Sequence, residues 1–242
     1  MKWFSKAAVG GLLWLTFSAV AFGDTLYFTG QPENVEYGGQ FSAYLTSDPS
    51  QDLTVYCVDY LNDVYLTNPP TGYSVNITDL AILTQVQTNT RYGQTAAGTF
   101  STNTVTIPAG IGSAQDRYAM AAWLITQYNF TSGVSMSDDE IQNAIWTLLD
   151  TNGATFTANG GVGTYLTQAQ NWINAEIAAG ALTAFESDVV IYSASSIDGT
   201  SDPARWTTGN QEMIGFVPEP STLLMLGLGL VAIGLYQKKA KA

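Results

Sequence analysis

The chain has 242 residues, a net charge of −12 at pH 7, a single cysteine and no histidine. The absence of histidine excludes Ser-His-Asp and Cys-His catalytic systems and histidine-based zinc sites. The single cysteine excludes an intramolecular disulfide. The negative charge disfavours nucleic-acid binding, because it repels the phosphate backbone.

The first 23 residues have the layout of a secretory signal peptide. A basic start with Lys2 and Lys6 precedes an apolar core at residues 7–20, and small residues at 19–23 offer a cleavage site. We therefore expect residues 1–23 to be a signal peptide. Residues 24–216 then form one extracytoplasmic domain, a length that suits a single hydrophobic core.

The start of this domain has the period-two pattern of β-strands, predicted at residues 24–30, 41–46 and 53–60. Alternation along the third strand divides its side chains between two faces. One face carries Leu53, Val55, Cys57 and Asp59, and the other carries Tyr56, Val58 and Tyr60.

The next stretch is less regular. Residues 68–76 are predicted to be a loop, and residues 78–84 are too short a segment to assign. The Gly/Thr/Ser-rich residues 88–109 are typical of strand and loop or of a mobile hairpin.

Apolar residues then recur at helical spacing, which predicts three helices. The first follows Ser113, which forms a capping-box pattern with Asp116, and ends near Tyr128. The second starts with Ser137 as N-cap and Glu140 at N3. Its apolar stripe consists of Ile141, Ala144, Ile145, Leu148 and Leu149.

The third helix is predicted at residues 164–179, with Gly180 as its stop. Its inward residues are predicted to be Tyr165, Ala169, Trp172, Ile173 and Ile177. Two further strands are predicted at residues 188–194 and 212–217. The expected fold class is α+β, mainly antiparallel strands with an inserted set of about three helices, plus an N-terminal signal helix and a C-terminal membrane helix.

The C-terminal segment has a distinct pattern. Pro218, Glu219 and Pro220 precede an apolar run at residues 222–236, and lysines follow at 238, 239 and 241. A run of about fifteen residues is short against the ~20 that span a bilayer core. The lysines should stay cytoplasmic by the positive-inside rule, which places everything before Pro218 across the membrane.

This pattern resembles the PEP-CTERM sorting signal of Gram-negative bacteria, although an ordinary single-pass helix is the alternative. The resemblance implies that residues 217–242 are recognised by exosortase, an inner-membrane cysteine transpeptidase. The protein is then exported across the inner membrane, transiently anchored by its C-terminal helix, and delivered to the cell surface or extracellular matrix. Species with such signals commonly make exopolysaccharide.

Two segments of the middle domain carry a second pattern. Tyr56, Cys57 and Val58 lie on a predicted strand, and a helical segment at residues 142–146 reads Gln-Asn-Ala-Ile-Trp. Together they resemble the thioester domains of bacterial surface adhesins. The resemblance implies that Cys57 is a nucleophile and Gln142 an acyl donor, joined in an internal thioester that an amine on a surface ligand opens covalently.

The chemistry requires a proton acceptor for the thiol and donors for the developing oxyanion. Gln142 lies near the N-terminus of its helix, where free N–H groups and the helix dipole favour an oxyanion. Asp59, on the same strand face as Cys57, is the candidate proton acceptor; a solvated aspartate beside a turn is the alternative. No cofactor or metal is expected, and the protein is at most a single-turnover autocatalyst.

Lysine is missing from the whole middle domain, where the cations are Arg91, Arg117 and Arg205 against nineteen of the 20 carboxylates. The absence of lysine would protect a thioester, because no lysine amine of the domain could react with the bond. An acidic exported protein explains it equally well. The two functional hypotheses are a covalent adhesion module and a non-reactive structural protein of the envelope or matrix.

Cys57 itself has two other interpretations, a buried inert cysteine and an intermolecular disulfide. Residues 138–140 and 150–153 are weak calcium candidates, because helix capping explains the first and the second lacks the twelfth-position glutamate of an EF-hand.

Overall fold

The computed structural model describes residues 24–35, 38–59, 66, 72–93, 113–129, 136–149, 160–195 and 210–217. The predicted signal peptide, the predicted C-terminal membrane helix, Tyr60, Arg205 and the 150–153 segment lie outside these residues. None of the helices among the described residues is long and apolar enough to cross a membrane.

Six strands form a closed barrel in the order β1-β2-β3-β6-β5-β4, and every neighbouring pair is antiparallel. The strands are β1 (Asp24–Val35), β2 (Gly38–Leu45), β3 (Asp48–Cys57), β4 (Gly72–Asp79), β5 (Val189–Ala194) and β6 (Met213–Phe216). The prediction of mainly antiparallel strands is confirmed. Closure into a barrel was not predicted.

Helices occupy the chain between β4 and β5. They are α1 (Leu83–Asn89), α2 (Ala114–Ile125), α3 (Met136–Leu149), α4 (Gly160–Ala179) and α5 (Leu182–Glu186). The α+β class with an inserted helical set is confirmed. The described residues contain five helices, however, because the short α1 and α5 lack a periodic apolar stripe long enough to recognise.

The sequence predicted the start of α2 and the end of α4 correctly, but not the start of α3. Ser113 caps α2 in a reciprocal capping box with Asp116, as predicted. Gly180 follows α4 with a φ of 67°, a left-handed conformation that favours glycine. Helix α3 already begins at Met136, so Ser137 lies inside its first turn and the prediction of Ser137 as N-cap is wrong.

Strand and helix predictions also failed in two places. Strand β4 begins at Gly72, inside the segment predicted to be a loop, because the turn residues that precede the strand dominate that window. Ile177 was predicted to face inward but is 49% exposed. Ile173 and Ala169, one and two turns earlier in α4, are fully buried as predicted.

The hydrophobic interior has two clusters. One fills the barrel and includes Leu26, Phe28, Phe41, Val55 and Cys57. The other lies between the barrel and the helices, and it contains the whole predicted stripe of α3. Trp146 extends from α3 into the barrel cluster, so α3 packs where β3 ends.

Candidate functional site

Cys57 is the last residue of β3, paired with Met213 of β6, and its side chain is fully buried in the barrel cluster. The predicted face of β3 is confirmed, since Leu53, Val55 and Asp59 are also buried. The Cys57 thiol donates to the backbone carbonyl oxygen of Asp59 at 3.3 Å. The thiol is therefore held at the end of the strand that α3 covers.

Gln142 lies in the second turn of α3 and is only 1% exposed. Its Nε2 donates to the backbone carbonyl oxygen of Cys57 at 3.0 Å, although the two residues are 85 positions apart in the chain. The structure thus brings together the two residues singled out for thioester chemistry. Their catalytic roles stay predictions.

The carboxamide oxygen of Gln142 accepts two hydrogen bonds. The backbone N–H of Gly39 donates to Oε1 at 2.9 Å, and the hydroxyl of Tyr128 donates to the same atom at 2.8 Å. With the bond from Nε2, every polar atom of this buried amide has a partner, as a buried polar group requires. Both donors lie where negative charge would develop on Oε1 if the amide carbon were attacked.

Two glycines at the start of β2 make this approach possible. Gly39 has a φ of 97°, which side-chain-bearing residues rarely adopt. A Cβ on Gly38 would lie 2.8 Å from both Cδ and Oε1 of Gln142 and 2.9 Å from Cζ2 of Trp146. The backbone at the start of β2 therefore lies directly against the Gln142 carboxamide.

Tyr128 follows the C-terminus of α2 and is half-buried. Its ring stacks on that of Tyr56, with centroids 5.9 Å apart and planes at 8°. The next residue, Asn129, donates its N–H to Oδ1 of Asp138 at 3.1 Å, which ties this segment to α3. Burial, with added effects of Cys57 and the nearby acidic groups, raises the pKa of Tyr128 well above its usual value, so the phenol stays protonated.

We call Cys57, Gln142, Gly38, Gly39 and Tyr128 the carboxamide site. Its glycines and tyrosine were not identified from the sequence. The pair Gly38–Gly39 between two strand patterns is a turn signal, but nothing in the sequence indicates that the turn contacts Gln142.

Asp59 occupies a different environment from the one considered in the sequence. It is fully buried, so the alternative of a solvated aspartate is wrong. Its carboxylate forms an ion pair with Arg91 and accepts a hydrogen bond from Tyr92 Oη at 2.9 Å. The group that accepts the thiol hydrogen is its backbone carbonyl, and its role as proton acceptor stays a prediction.

A second buried carboxylate lies beside this ion pair. Glu212 accepts hydrogen bonds from the Arg91 backbone N–H at 2.7 Å, from Ser193 Oγ at 2.5 Å and from the Tyr118 hydroxyl. Burial raises its pKa, and these donors and Arg91 act in the opposite direction. We call the residues of this second group the carboxylate network: Asp59, Arg91, Tyr92, Tyr118, Ser193 and Glu212.

The described residues contain no group of three or more Cys, Asp or Glu side chains placed to hold a metal ion. Of the weak calcium candidates, residues 138–140 lie in the first turns of α3, where Asp138 accepts the Asn129 N–H.

Comparison with known proteins identifies the C-terminal segment. Residues 216–239 match the family model of the PEP-CTERM protein-sorting motif, which includes Pro218, Glu219 and Pro220. No curated protein and no solved structure matches the chain. The chain is thus an exported protein sorted through exosortase to the cell surface. The match begins at Phe216, the last residue of β6, and so does not include any residue of the carboxamide site.

Proposed function

We propose that residues 24–216 form an internal thioester between Cys57 Sγ and Gln142 Cδ and use it once to capture an amine covalently. The observation that carries this proposal is the placement of Gln142. Its carboxamide is buried, bonded to the Cys57 carbonyl, and held by two donors on its oxygen. A buried glutamine needs partners, but it does not need a neighbouring thiol.

The reaction is balanced without an external reagent. Cys57 Sγ attacks Gln142 Cδ, the Cδ–Nε2 bond breaks, and the thiol proton leaves with the nitrogen as ammonia. Proximity is the main contribution of the fold, because it makes the attack intramolecular. In the unreacted state the thiol donates its hydrogen to the Asp59 backbone carbonyl oxygen, and this proton would pass to the nitrogen once Cδ becomes tetrahedral and the Cδ–Nε2 bond breaks.

The composition protects such a bond. No lysine occurs from residue 24 to residue 217, and both arginines of the described residues, Arg91 and Arg117, are buried. The domain therefore has no side-chain amine of its own to open the thioester. Burial of Cys57 and Gln142 also limits hydrolysis by water.

Export through the sorting signal would put this chemistry outside the cell. A thioester on an exported protein would attach it to an amine of a neighbouring surface or matrix component, which makes adhesion or biofilm assembly its use. The captured partner would carry a primary amine, and exopolysaccharide would serve only if it bears one. The protein would act once, as an attachment module rather than a turnover enzyme.

A non-reactive structural protein of the envelope or matrix is the second candidate. The observation that favours it is that the unreacted side chains are already satisfied. Gln142 has partners on both polar atoms, and the thiol donates to a carbonyl. The same contacts would then serve only to fasten α3 to the barrel.

The intact mass of the mature protein, purified from cells that export it, separates the two candidates. It is compared with Cys57→Ala and Gln142→Ala variants, whose termini are processed in the same way. We expect the parent alone to be lighter than its sequence by one ammonia and to gain one methylamine on treatment. If all three folded proteins have their full masses and none gains methylamine, the proposal fails and the structural candidate stands.

A further inference from the structure

We propose that the Tyr128 hydroxyl and the Gly39 N–H form the oxyanion hole of this reaction, which makes Tyr128 a catalytic residue. The inference rests on the proposed thioester. It adds a named group that stabilises the transition state both when the bond forms and when an amine opens it.

The geometry matches what such a hole requires. An oxyanion hole needs hydrogen-bond donors aimed at the oxygen on which charge develops, and in the unreacted amide Gly39 N and Tyr128 Oη lie 2.9 and 2.8 Å from that atom, Gln142 Oε1. The bond from Gln142 Nε2 to the Cys57 carbonyl, at 3.0 Å, fixes the orientation of the amide. The oxygen therefore faces both donors and the leaving nitrogen faces the strand of the nucleophile.

Two glycines at the start of β2 form one side of this hole. Gly39 has a positive φ and donates its N–H to Oε1, and the absence of a Cβ on Gly38 leaves room for the carboxamide. Backbone donors cost no reorganisation when charge develops, which is the source of their catalytic effect.

Tyr128 supplies the second donor from the other side. The stack on Tyr56 and the Asn129–Asp138 hydrogen bond hold its ring in place. A phenol donates well only while it is protonated. Burial is the main cause of the raised pKa of Tyr128, and this pKa keeps the phenol protonated well beyond neutral pH.

The two donors act in both directions of the chemistry. When an amine opens the thioester, its nitrogen attacks Cδ, the Cδ–Sγ bond breaks, and one amine proton passes to the Cys57 sulfur. The product is a substituted Gln142 amide and a free thiol. The negative charge of the tetrahedral intermediate again resides on Oε1, between Gly39 and Tyr128.

The test is the rate at which methylamine is incorporated, followed by intact mass, in the parent and in Tyr128→Phe. Loss of one oxyanion donor typically costs about 100-fold or more in rate, so we expect Tyr128→Phe to react about 100-fold more slowly. Tyr56→Phe is the matched control. It loses the same hydroxyl from the other ring of the stack, and we expect it to react like the parent.

These measurements distinguish failure of the thioester from failure of the oxyanion role of Tyr128. A parent without the ammonia loss overturns both. A parent that reacts while Tyr128→Phe and Tyr56→Phe both match its rate overturns the oxyanion role alone. If Tyr128→Phe does not fold, difluorotyrosine at position 128 keeps the ring and the donor but ionises at lower pH. Its rate relative to the parent should then fall on the alkaline side, and a ratio independent of pH contradicts the role of Tyr128.

Discussion

Two clusters of polar residues, the carboxamide site and the carboxylate network, lie next to each other at the end of β3, and they differ in charge. The carboxamide site contains a thiol, an amide, a phenol and backbone N–H groups, all neutral. The carboxylate network, whose first member lies two residues after Cys57, contains the Asp59–Arg91 ion pair and the buried Glu212. The buried charges thus form a group of their own, and the contact of Asp59 with the Cys57 thiol is made by its backbone carbonyl oxygen.

The difference matters because a nearby negative charge raises the pKa of a thiol, as it does that of a carboxylic acid. A negative group beside Cys57 would raise the pKa of the thiol and disfavour the thiolate. Asp59 is paired with the cation Arg91, and three donors stabilise the carboxylate of Glu212. The carboxylate network joins Asp59, which follows β3, to Ser193 of β5 through Arg91 and Glu212.

Arg91→Ala should produce the largest loss of stability. It leaves Asp59 buried without its partner, and removal of one member of a buried pair costs about 3–5 kcal/mol. The free energy of unfolding from urea titration measures the loss. The folded fraction should still capture methylamine, because no member of the carboxamide site is changed.

The double variant Asp59→Ala/Arg91→Ala serves as the control for that change. It should lose less stability than the two single variants together, since neither charge is then left alone. Additive losses, or loss of capture in folded Arg91→Ala, would contradict the separation of the two groups.

Gly38→Ala should damage the carboxamide site with a smaller cost to the fold. Its Cβ would overlap Cδ and Oε1 of Gln142 at 2.8 Å, and overpacking of a core typically costs about 1–3 kcal/mol. Displacement of the carboxamide should also abolish the ammonia loss in the intact mass.

Gly30→Ala makes the same substitution in β1, where a Cβ meets nothing within 4 Å. It should change stability by less than about 0.5 kcal/mol and leave capture intact. Equal behaviour of the two alanine variants would show that the contact between Gly38 and Gln142 has no consequence.

Tyr118→Phe tests the carboxylate network through a single hydroxyl. This hydroxyl donates to Glu212 and accepts the Tyr92 N–H at 3.1 Å, and its removal leaves buried groups unsatisfied at a cost of about 1–2 kcal/mol. Thermal and urea unfolding measure the loss. Tyr27→Phe, on a half-buried ring stacked against Tyr44, is the control and should have almost no effect.

The sequence predicted those features of the fold that depend on near neighbours. The capping box joins Ser113 to Asp116, and the alternation of β3 placed Cys57 and Asp59 inside. The stripe of α3 is buried throughout because its members repeat at helical spacing. Barrel closure was not predictable, because it depends on β3 pairing with β6, which begins 156 residues beyond the end of β3 at Cys57.

The site was predictable only where it resembles a known pattern. Cys57 and Gln142 came from such a resemblance, and the structure places them in contact. The Gly39 donor lies 103 residues from Gln142, and the Arg91 backbone lies 121 residues from Glu212. Such pairings leave no periodic signal, so the donors to Gln142 Oε1 and the carboxylate network became visible only in the folded chain.

Glu186 is another buried carboxylate, and its neighbours stabilise its ionised form less than Arg91 stabilises that of Asp59. It is buried at the end of α5, with Asp116 of α2 and Asp79 of β4 nearby. Gln115 Nε2 donates to it at 3.3 Å. Burial, followed by the repulsion of Asp116 and Asp79, raises the pKa of Glu186 to about 7.

The raised pKa fixes the sign of a pH effect. Glu186 binds a proton more tightly in the folded chain, so its contribution to stability is complete below about pH 4.5 and is lost as the pH rises through about 7. Glu186→Gln should therefore be more stable than the parent at neutral pH, by about 1 kcal/mol once solvent screening at the half-buried Asp79 and Asp116 is considered. Unfolding free energies measured across this range should decline less in the variant. Identical pH dependence of the two proteins would contradict this prediction. It would mean that neighbouring groups stabilise the ionised Glu186 carboxylate as Arg91 stabilises Asp59.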